Sequence, residues 1–179
     1  MDAIKLPTIQ DIYNLPDGVR AELTDGQIYY IAAPSTEHQR VSRYLLFEIE
    51  SYIRKNNGTC EVFSAPFAVF LQNDKAYVEP DVSVICDRDK LDSKGCHGAP
   101  DWIIEVISQG NSEHDTIVKF DLYSNNGVRE YWIVDPNTKK VIVYNFEENS
   151  DIKATIYGFE KVKVGIYEDL EIDFSSIEI

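Results

Sequence analysis

Apolar and polar positions near the start of the chain alternate in ways that predict short elements separated by turns. Residues 8–15 can form a brief helix that ends before a Pro-Asp-Gly turn. Residues 20–31 have the pattern of two strands around Asp25-Gly26, a dipeptide typical of hairpins. A longer helix, capped by Ser35 or Thr36, is predicted to run to about Lys55.

The predicted long helix has one apolar face, and three strands follow it. Its apolar residues recur at helical spacing: Val41, Leu45, Ile49, Tyr52 and Ile53. Segments 60–64, 68–71 and 82–86 are rich in Val, Phe and Ile and are separated by turn residues, so each is predicted to be a strand. A polar loop is expected over residues 87–100.

The second half of the chain predicts a strand, a helix and a strand in succession. Residues 102–107 have apolar side chains for both faces of a strand, as in the middle of a sheet that helices cover. A helix over about 112–126 and a strand over 130–134 would complete a parallel, right-handed β-α-β unit. Antiparallel strands over 141–146 and 156–164 would finish an α/β fold.

Length and composition favour one globular domain. The chain has 179 residues, 44% of them hydrophobic, and no repeat or linker that would divide it, so a single domain over 1–179 is expected. No apolar stretch approaches the roughly 18–20 residues of a membrane-spanning helix, and the first ten residues lack the apolar stretch of a signal peptide. We therefore expect a cytoplasmic protein without membrane contact.

The three cysteines, Cys60, Cys86 and Cys96, are odd in number and show no C-x-x-C spacing. This pattern supports neither a disulfide framework nor a zinc ribbon, so reduced thiols are expected. A zinc site built from Cys86, Cys96, His97 and His114 is disfavoured, because the adjacent Cys96 and His97 are awkward ligands for one ion.

The charge of the chain opposes a surface that attracts nucleic acid everywhere. The 17 basic and 31 acidic residues give a formal net charge of −14. Such a chain repels polyanions unless basic residues cluster on one face or bound cations neutralise acidic groups.

Glu105 is the residue whose position most clearly suggests chemistry. It interrupts an apolar strand expected to be buried on both faces, where an unpaired carboxylate is strongly unfavourable. Asp81 begins the strand over 82–86, and the two carboxylates converge if this strand pairs beside the Glu105 strand. Two carboxylates, a backbone carbonyl and water would suit Mg²⁺ or Mn²⁺.

Lys119, on the helix after the Glu105 strand, supplies a cation to this hypothesis. Asp115 and Tyr123 lie on the same helix face at i−4 and i+4. The Lys119 ammonium can orient a water or stabilise negative charge on a phosphoryl group. Taken singly, Asp81 also fits a strand-entry turn, Glu105 a structural salt bridge and Lys119 a solvated helix position.

The order of these motifs resembles that of the Uma-two family, bacterial proteins assigned to the PD-(D/E)XK nuclease superfamily, over nearly the whole chain. The matching segments are R-A-E-L-T-D-G from Arg20, A-P-S from Ala33 followed by His38, P-D-V-S-V from Pro80, P-D-W-I-I-E-V-I-S from Pro100, Lys119 with Tyr123, and G-V-R-E-Y-W-I-V-D-P from Gly127. The resemblance implies a restriction-endonuclease-like fold, with a mixed β-sheet core flanked by helices, an N-terminal β-hairpin and C-terminal antiparallel strands.

The same resemblance implies roles for the candidate residues. Asp81 and Glu105 would be metal ligands, and the Val106 carbonyl would be a third. Lys119 would be the superfamily lysine, moved to the helix from the strand position that Ile107 occupies here. A lysine on this helix can still reach the same metal-bound water.

Glu22, His38 and Tyr123 are further catalytic candidates. The family places an acidic residue and a helix-start histidine near the same cleft, whereas Tyr123 follows Lys119 by one helical turn. The alternative for Glu22 is a hairpin salt bridge with Arg20 or a neighbour. The alternative for His38 is packing beside Val41.

Two residues at the exit of the Glu105 strand bear on this comparison. Gln109 stands where the family usually has Pro, which changes the expected exit of the strand. Ser108 lacks the G-x-S-x-G elbow, so a Ser-His-Asp hydrolase is disfavoured.

Two functions from different classes fit these observations. The first is hydrolysis of phosphodiester bonds in nucleic acid, in which Asp81 and Glu105 hold Mg²⁺ or Mn²⁺ and Lys119 positions the attacking water. The second is a non-catalytic interaction or scaffold module that keeps the nuclease core, which the charge of −14 favours. The family habit and the many aromatic residues favour a C2 homodimer.

Overall fold

The computed structural model describes residues 6–108, 113–147 and 152–179, without the side chains of 113–115. The predicted strand-exit residue Gln109 and the side chains of His114 and Asp115 therefore lie outside the described residues. The helices are α1 (Ile9–Tyr13), α2 (Thr36–Lys55) and α3 (Glu113–Asn126). Within the described chain, no helix has both the length and the apolar character needed to cross a membrane.

The strands divide between the two halves of the chain. Those of the first half are β1 (Ala21–Thr24), β2 (Gln27–Tyr30), β3 (Glu61–Ser64), β4 (Val69–Leu71), β5 (Ala76–Val78), β6 (Val82–Ile85) and β7 (Cys96–His97). Those of the second half are β8 (Trp102–Val106), β9 (Glu130–Asp135), β10 (Lys140–Asn145), β11 (Ala154–Gly158), β12 (Lys161–Lys163) and β13 (Glu171–Asp173).

Two larger sheets and one small one make up the β structure. The six-stranded sheet has the order β11-β10-β9-β8-β6-β3, in which β8 and β9 are parallel and the other neighbours antiparallel. The five-stranded sheet has the order β2-β1-β5-β4-β7 and contains the predicted N-terminal hairpin. Strands β12 and β13 pair separately. The predicted mixed α/β architecture and the parallel β8-α3-β9 unit are both present.

Strand β8 lies between two layers of packing, as its two apolar faces predicted. Ser35 caps the start of helix α2, because its hydroxyl accepts a hydrogen bond from the His38 N–H at 3.2 Å. On one face of the sheet, the apolar stripe of α2 packs in a core with Trp102 and Ile104 of β8. On the other face, Ile103 belongs to a second core formed with α3 and the five-stranded sheet.

The register of β6 against β8 brings the two suspected acidic positions together. Val82 of β6 lies opposite Ile104 of β8 in an antiparallel ladder. Continuing that ladder by one residue sets Asp81 opposite Glu105. Two carboxyl groups distant in sequence thus lie at the same end of the sheet, because strand pairing fixes the neighbours of each residue.

The cysteines differ from the prediction. Cys60 and Cys86 are joined by a disulfide, so the expectation of reduced thiols is wrong for this pair. The cause is the antiparallel pairing of β3 with β6, which sets Glu61 opposite Ile85. One further step along this ladder brings Cys60 opposite Cys86. The disulfide also removes Cys86 from the zinc alternative. Cys96 is a free thiol, and burial raises its pKa to about 11.

Several short elements were not predicted. Strand β5 was missed, and the expected loop over 87–100 contains a 3₁₀ turn (Arg88–Lys90) and strand β7. The segment 156–164 is not one strand but parts of β11 and β12, which belong to different sheets. Elements of two or three residues are too short to carry a recognisable period, so their pairing comes from tertiary context.

Helix α2 offers a direct test of how the core supports the site. Replacing the fully buried Leu45 with Ala leaves a cavity beneath β6 and β8 and should lower the free energy of unfolding by about 2–5 kcal/mol. Phe47→Ala on the same helix is the control, because Phe47 is 66% exposed and its loss should change stability by about 0.5 kcal/mol or less. Urea denaturation followed by tryptophan fluorescence measures both, and equal losses would contradict this packing.

Candidate active site

A cavity of about 320 Å³ lies where the hairpin β1-β2, the start of α2 and the ends of β6 and β8 meet. Its lining contains most of the predicted site residues together with several neighbours: Arg20, Glu22, Tyr29, Tyr30, Ile31, Ala32, Pro34, His38, Gln39, Ala65, Glu79, Asp81, Glu105, Val106 and Lys119. Tyr123 does not line the cavity but lies behind Glu105, to which it is hydrogen-bonded.

The Asp81 carboxylate is held by two donors that engage the same oxygen. Its Oδ2 accepts a hydrogen bond from the Val106 backbone N–H at 2.7 Å and from His38 Nε2 at 3.0 Å. His38 is buried in the first turn of α2, and its Nδ1 lies 3.4 Å from the hydroxyl of Ser42 one turn later. Because Nε2 donates to a carboxylate, the ring is fixed as a support for Asp81, and the structure places His38 at the wall of the same cavity.

The Glu105 carboxylate is held in a similar way from helix α3. Its Oε1 accepts a hydrogen bond from Lys119 Nζ at 3.0 Å and from the Tyr123 hydroxyl at 2.7 Å. Burial raises the pKa of Glu105 to about 8, an effect that Lys119 opposes and the charges of Asp81 and Glu22 reinforce. Burial also raises the pKa of Tyr123 well above its usual value, so its phenol stays a neutral donor.

Lys119 connects the two sheets through opposite carboxylates. Its Nζ lies 3.0 Å from Oε1 of Glu105 in the six-stranded sheet and 3.0 Å from Oε2 of Glu22 in the five-stranded sheet. All three side chains are mostly buried, with exposed fractions of 10% for Lys119, 14% for Glu105 and 7% for Glu22. The reading of Lys119 as a solvated helix residue is therefore wrong.

Glu79 is a residue of this site that was not singled out from the sequence. Glu79 accepts hydrogen bonds from Arg20, at 2.8 Å from Nε, and from the Tyr77 hydroxyl, and its own backbone N–H donates to Glu22. Arg20 thus pairs with Glu79 and not with Glu22, contrary to the alternative considered for Glu22. The signal that could have found Glu79 is its place between the buried strand β5 and Asp81, but β5 itself was not predicted.

The charges and free oxygens of the cavity suit a divalent cation. Within the described residues, the hydrogen bonds of Asp81 and Glu105 engage only Oδ2 and Oε1, which leaves one oxygen of each carboxylate for a ligand. Glu22, Asp81 and Glu105 all line this cavity, only Glu22 and Glu105 pair with the Lys119 ammonium, and a bound cation would offset the remaining negative charge. The described chain holds no group of three or more His, Cys, Asp or Glu side chains placed to bind a metal, so backbone carbonyl and water oxygens would have to complete the site.

Comparison with known families identifies the group to which this fold and site belong. The model of the Uma2 family, described as "Putative restriction endonuclease", matches residues 7–174. The chain belongs to the Uma2 family. This is the Uma-two family that the sequence motifs resemble, so that prediction is confirmed.

Relatives of this Uma2 protein have been found in a cyanobacterium. Uncharacterized protein slr1290 of Synechocystis sp. is 28% identical over 131 residues, which cover 73% of this chain and 68% of that protein. Uncharacterized protein sll1609 of the same organism is 28% identical over 123 residues, or 65% of this chain and 66% of that protein. The matched region thus spans about two thirds of each relative.

A solved structure has the same fold. The crystal structure of a protein described as a putative nuclease belonging to DUF820, from Anabaena variabilis, superimposes with a TM-score of 0.78. The match covers 94% of this chain and 96% of the other, at 19% sequence identity. The predicted restriction-endonuclease-like fold class is therefore confirmed for this Uma2 protein, whereas the metal ligands and the catalytic roles remain predictions.

The raised pKa of Glu105 predicts how stability depends on pH. The folded chain holds this proton more tightly than the unfolded chain, so the contribution of Glu105 is complete below about pH 4.5 and is lost as pH rises through about 8. Without divalent ions, the slope from this group is at most about 1.4 kcal/mol per pH unit. Glu105→Gln should remove that part of the slope.

The measurement is urea denaturation at a series of pH values in the presence of a chelator. The control is Glu171→Gln, which changes an exposed carboxylate of β13 and should leave the slope as in the wild type. A wild-type curve and a Glu105→Gln curve that run parallel between pH 5 and 8 would contradict the burial of this carboxyl group.

Proposed function

We propose that this Uma2 protein hydrolyses phosphodiester bonds in nucleic acid with the aid of Mg²⁺ or Mn²⁺. The observation that carries the proposal is the pair of carboxyl groups, Asp81 and Glu105, at the shared end of β6 and β8, with the Lys119 ammonium 3.0 Å from Glu105 at the wall of a cavity. Family membership and the nuclease fold support the same class of reaction.

The residues that would hold the ion are Asp81, Glu105 and, through its carbonyl oxygen, Val106. An all-oxygen set of this kind suits a hard cation, which when bound lowers the pKa of water and polarises a phosphoryl oxygen. His38 and the Val106 N–H orient Asp81 through Oδ2, and Lys119 orients Glu105 through Oε1. Each carboxylate is thus held by hydrogen bonds to one oxygen, and its other oxygen would be the one to bind the ion.

Lys119 would take part in the reaction directly. Its ammonium can donate a hydrogen bond to the attacking water and can stabilise the negative charge that develops on the phosphoryl group. Glu22 would act as a positioning residue, because its carboxylate holds Nζ from the side opposite Glu105. Tyr123 would position Glu105 in the same sense, from behind the cavity wall.

Asp81→Ala is the direct test of this site. The variant should lower Mg²⁺- or Mn²⁺-dependent cleavage of DNA or RNA by more than about 100-fold, since even groups outside a metal's coordination sphere contribute 10- to 100-fold. Asp121→Ala is the matched control, because Asp121 is an exposed carboxylate on the helix that carries Lys119. Purified proteins are compared on labelled single- and double-stranded substrates, and cleavage that survives in Asp81→Ala would overturn the assignment.

Metal binding should also release a proton from Glu105. Burial raises the pKa of this carboxyl group toward neutral pH, so a divalent cation that uses both carboxylates must compete with a proton there. Calorimetric titration with Mg²⁺ in buffers of different ionisation enthalpy should report up to about one proton released at pH 7 and clearly fewer at pH 9. Binding without proton release at pH 7, or release that persists in Glu105→Gln, would contradict this linkage.

The net charge of −14 favours a second candidate, a non-catalytic interaction module. Such a module would keep the fold and bind a partner with a basic surface, and its binding would weaken as salt increases. The cleavage and titration experiments separate the two candidates, because the module predicts neither Asp81-dependent cleavage nor binding of Mg²⁺ or Mn²⁺.

The assembly and location expected from the sequence remain predictions. The C2 homodimer can be tested by light scattering on the purified chain. The single domain expected over residues 1–179 predicts one cooperative unfolding transition. The cytoplasmic location can be tested by cell fractionation.

A further inference from the structure

Asp81 lines two adjoining cavities. The main cavity meets a smaller one of about 140 Å³, and the two share the lining residues Gln39, Ala65 and Asp81. The smaller cavity continues between α2 and the end of β3, where Arg43 and Ser64 line it. We name the two cavities together the strand groove. A linear molecule could lie along it with Asp81 near the middle.

One end of the strand groove carries an aromatic ring. Tyr29 of β2 is half-buried and lines the main cavity. It lies opposite Glu22 in the hairpin, so it faces the side on which Glu22 meets Lys119, whereas Tyr30 lies opposite Ala21 on the other face of the hairpin. Aromatic rings at the mouth of a groove are the groups on which nucleic-acid bases stack.

The other end of the strand groove carries a cation. Arg43 is exposed on α2, one helical turn beyond Gln39, and within the described residues it forms no ion pair. Arg40 is exposed on the same helix near Glu37. In contrast, the cations of the main cavity, Arg20 and Lys119, are both paired with carboxylates of its wall.

This distribution of charge distinguishes between forms of nucleic acid. A duplex presents two strands of phosphates, and its binding depends on several unpaired cations spread over a surface. The strand groove offers few, in a chain with a net charge of −14. Base stacking needs no positive charge, and a cavity of about 320 Å³ has the size of a site for one small organic group.

We therefore propose that the strand groove binds an unpaired strand of nucleic acid, DNA or RNA, with a base stacked on Tyr29 and a phosphate bound by Arg43. The proposal rests on the proposed nuclease function and names the form of its substrate. It assigns binding roles to two residues that touch neither Asp81 nor Glu105 in the described hydrogen-bond network.

The first experiment measures binding separately from cleavage. Fluorescence anisotropy with labelled oligonucleotides of about 12 nucleotides, within the usual site sizes for single strands, compares single-stranded DNA, single-stranded RNA and a duplex of the same sequence. Ca²⁺ replaces Mg²⁺, and a gel checks that the oligonucleotides stay intact. We expect at least one single strand to bind at least about tenfold more tightly than the duplex. A duplex that binds as tightly as both single strands would overturn the proposal.

The second experiment tests the stacking residue. Tyr29→Ala should weaken single-strand binding by about fivefold or more, whereas Tyr29→Phe keeps the ring and should bind as the wild type does. Phe47→Ala is the control, because Phe47 is an exposed ring that does not line either cavity. Equal affinities in Tyr29→Ala and Phe47→Ala would overturn the role of Tyr29.

The third experiment tests the phosphate contact through its dependence on salt. Arg43→Gln should weaken single-strand binding and lower the slope of log affinity against log salt by about 0.7, the value for one phosphate contact on a single strand. Arg54→Gln, which changes an exposed arginine near the other end of α2, should leave the slope unchanged. An unchanged slope in Arg43→Gln would overturn this contact.

These outcomes can be told apart from those of the proposed function. Asp81-dependent cleavage of a duplex, without a preference for single strands, would overturn the inference and leave the nuclease function standing. Single-strand binding that depends on Tyr29, without cleavage of any substrate, would leave the binding role standing and remove the nuclease function. No binding to any nucleic acid would overturn both.

Discussion

The ion-pair bridge at Lys119 is the interaction on which the candidate site depends. Its ammonium joins Glu22 of the five-stranded sheet to Glu105 of the six-stranded sheet, and it comes from a helix that packs between them. Burying one cation between two carboxylates carries a desolvation penalty, and apolar residues of similar volume often fold as well. A buried ion-pair bridge of this kind is therefore weak evidence of a contribution to folding stability. A functional role for its charged groups explains it better.

The bridge also explains why the hairpin is part of the site. Without Lys119 the carboxylate of Glu22 would be buried near Glu105 with no cation between them, and the ion pairs that connect the hairpin to the wall formed by β8 would be lost. Glu79 continues this attachment, since its N–H binds Glu22 and its carboxylate binds Arg20. The cavity is therefore enclosed by a series of polar contacts between sheets, whereas the sheets themselves are held by their apolar cores.

The parts of this site that were predictable are those encoded locally. Glu105 was recognisable because a carboxylate is unfavourable in an apolar, buried strand. Helix α2 was recognisable because its apolar stripe and its cap lie within one continuous segment of the sequence. Pairing between distant segments was not predictable in the same way. The partners of Arg20 and Glu79, and the disulfide that joins Cys60 to Cys86, all follow from strand registers that only the folded chain defines. Family resemblance supplied Asp81 and Lys119, whose single-residue environments are ambiguous.

The negative charge of the chain and the negative charge of the site have different consequences. Inside the cavity, the carboxylates of Glu22, Asp81 and Glu105 exceed the local cations, and a bound divalent ion would offset that excess where a phosphodiester has to approach. Over the rest of the surface, a net charge of −14 provides no comparable attraction for a polyanion. A nuclease built in this way would gain little from electrostatic steering. It would have to recognise its substrate by contacts close to the site, where Tyr29 and Arg43 line the two cavities.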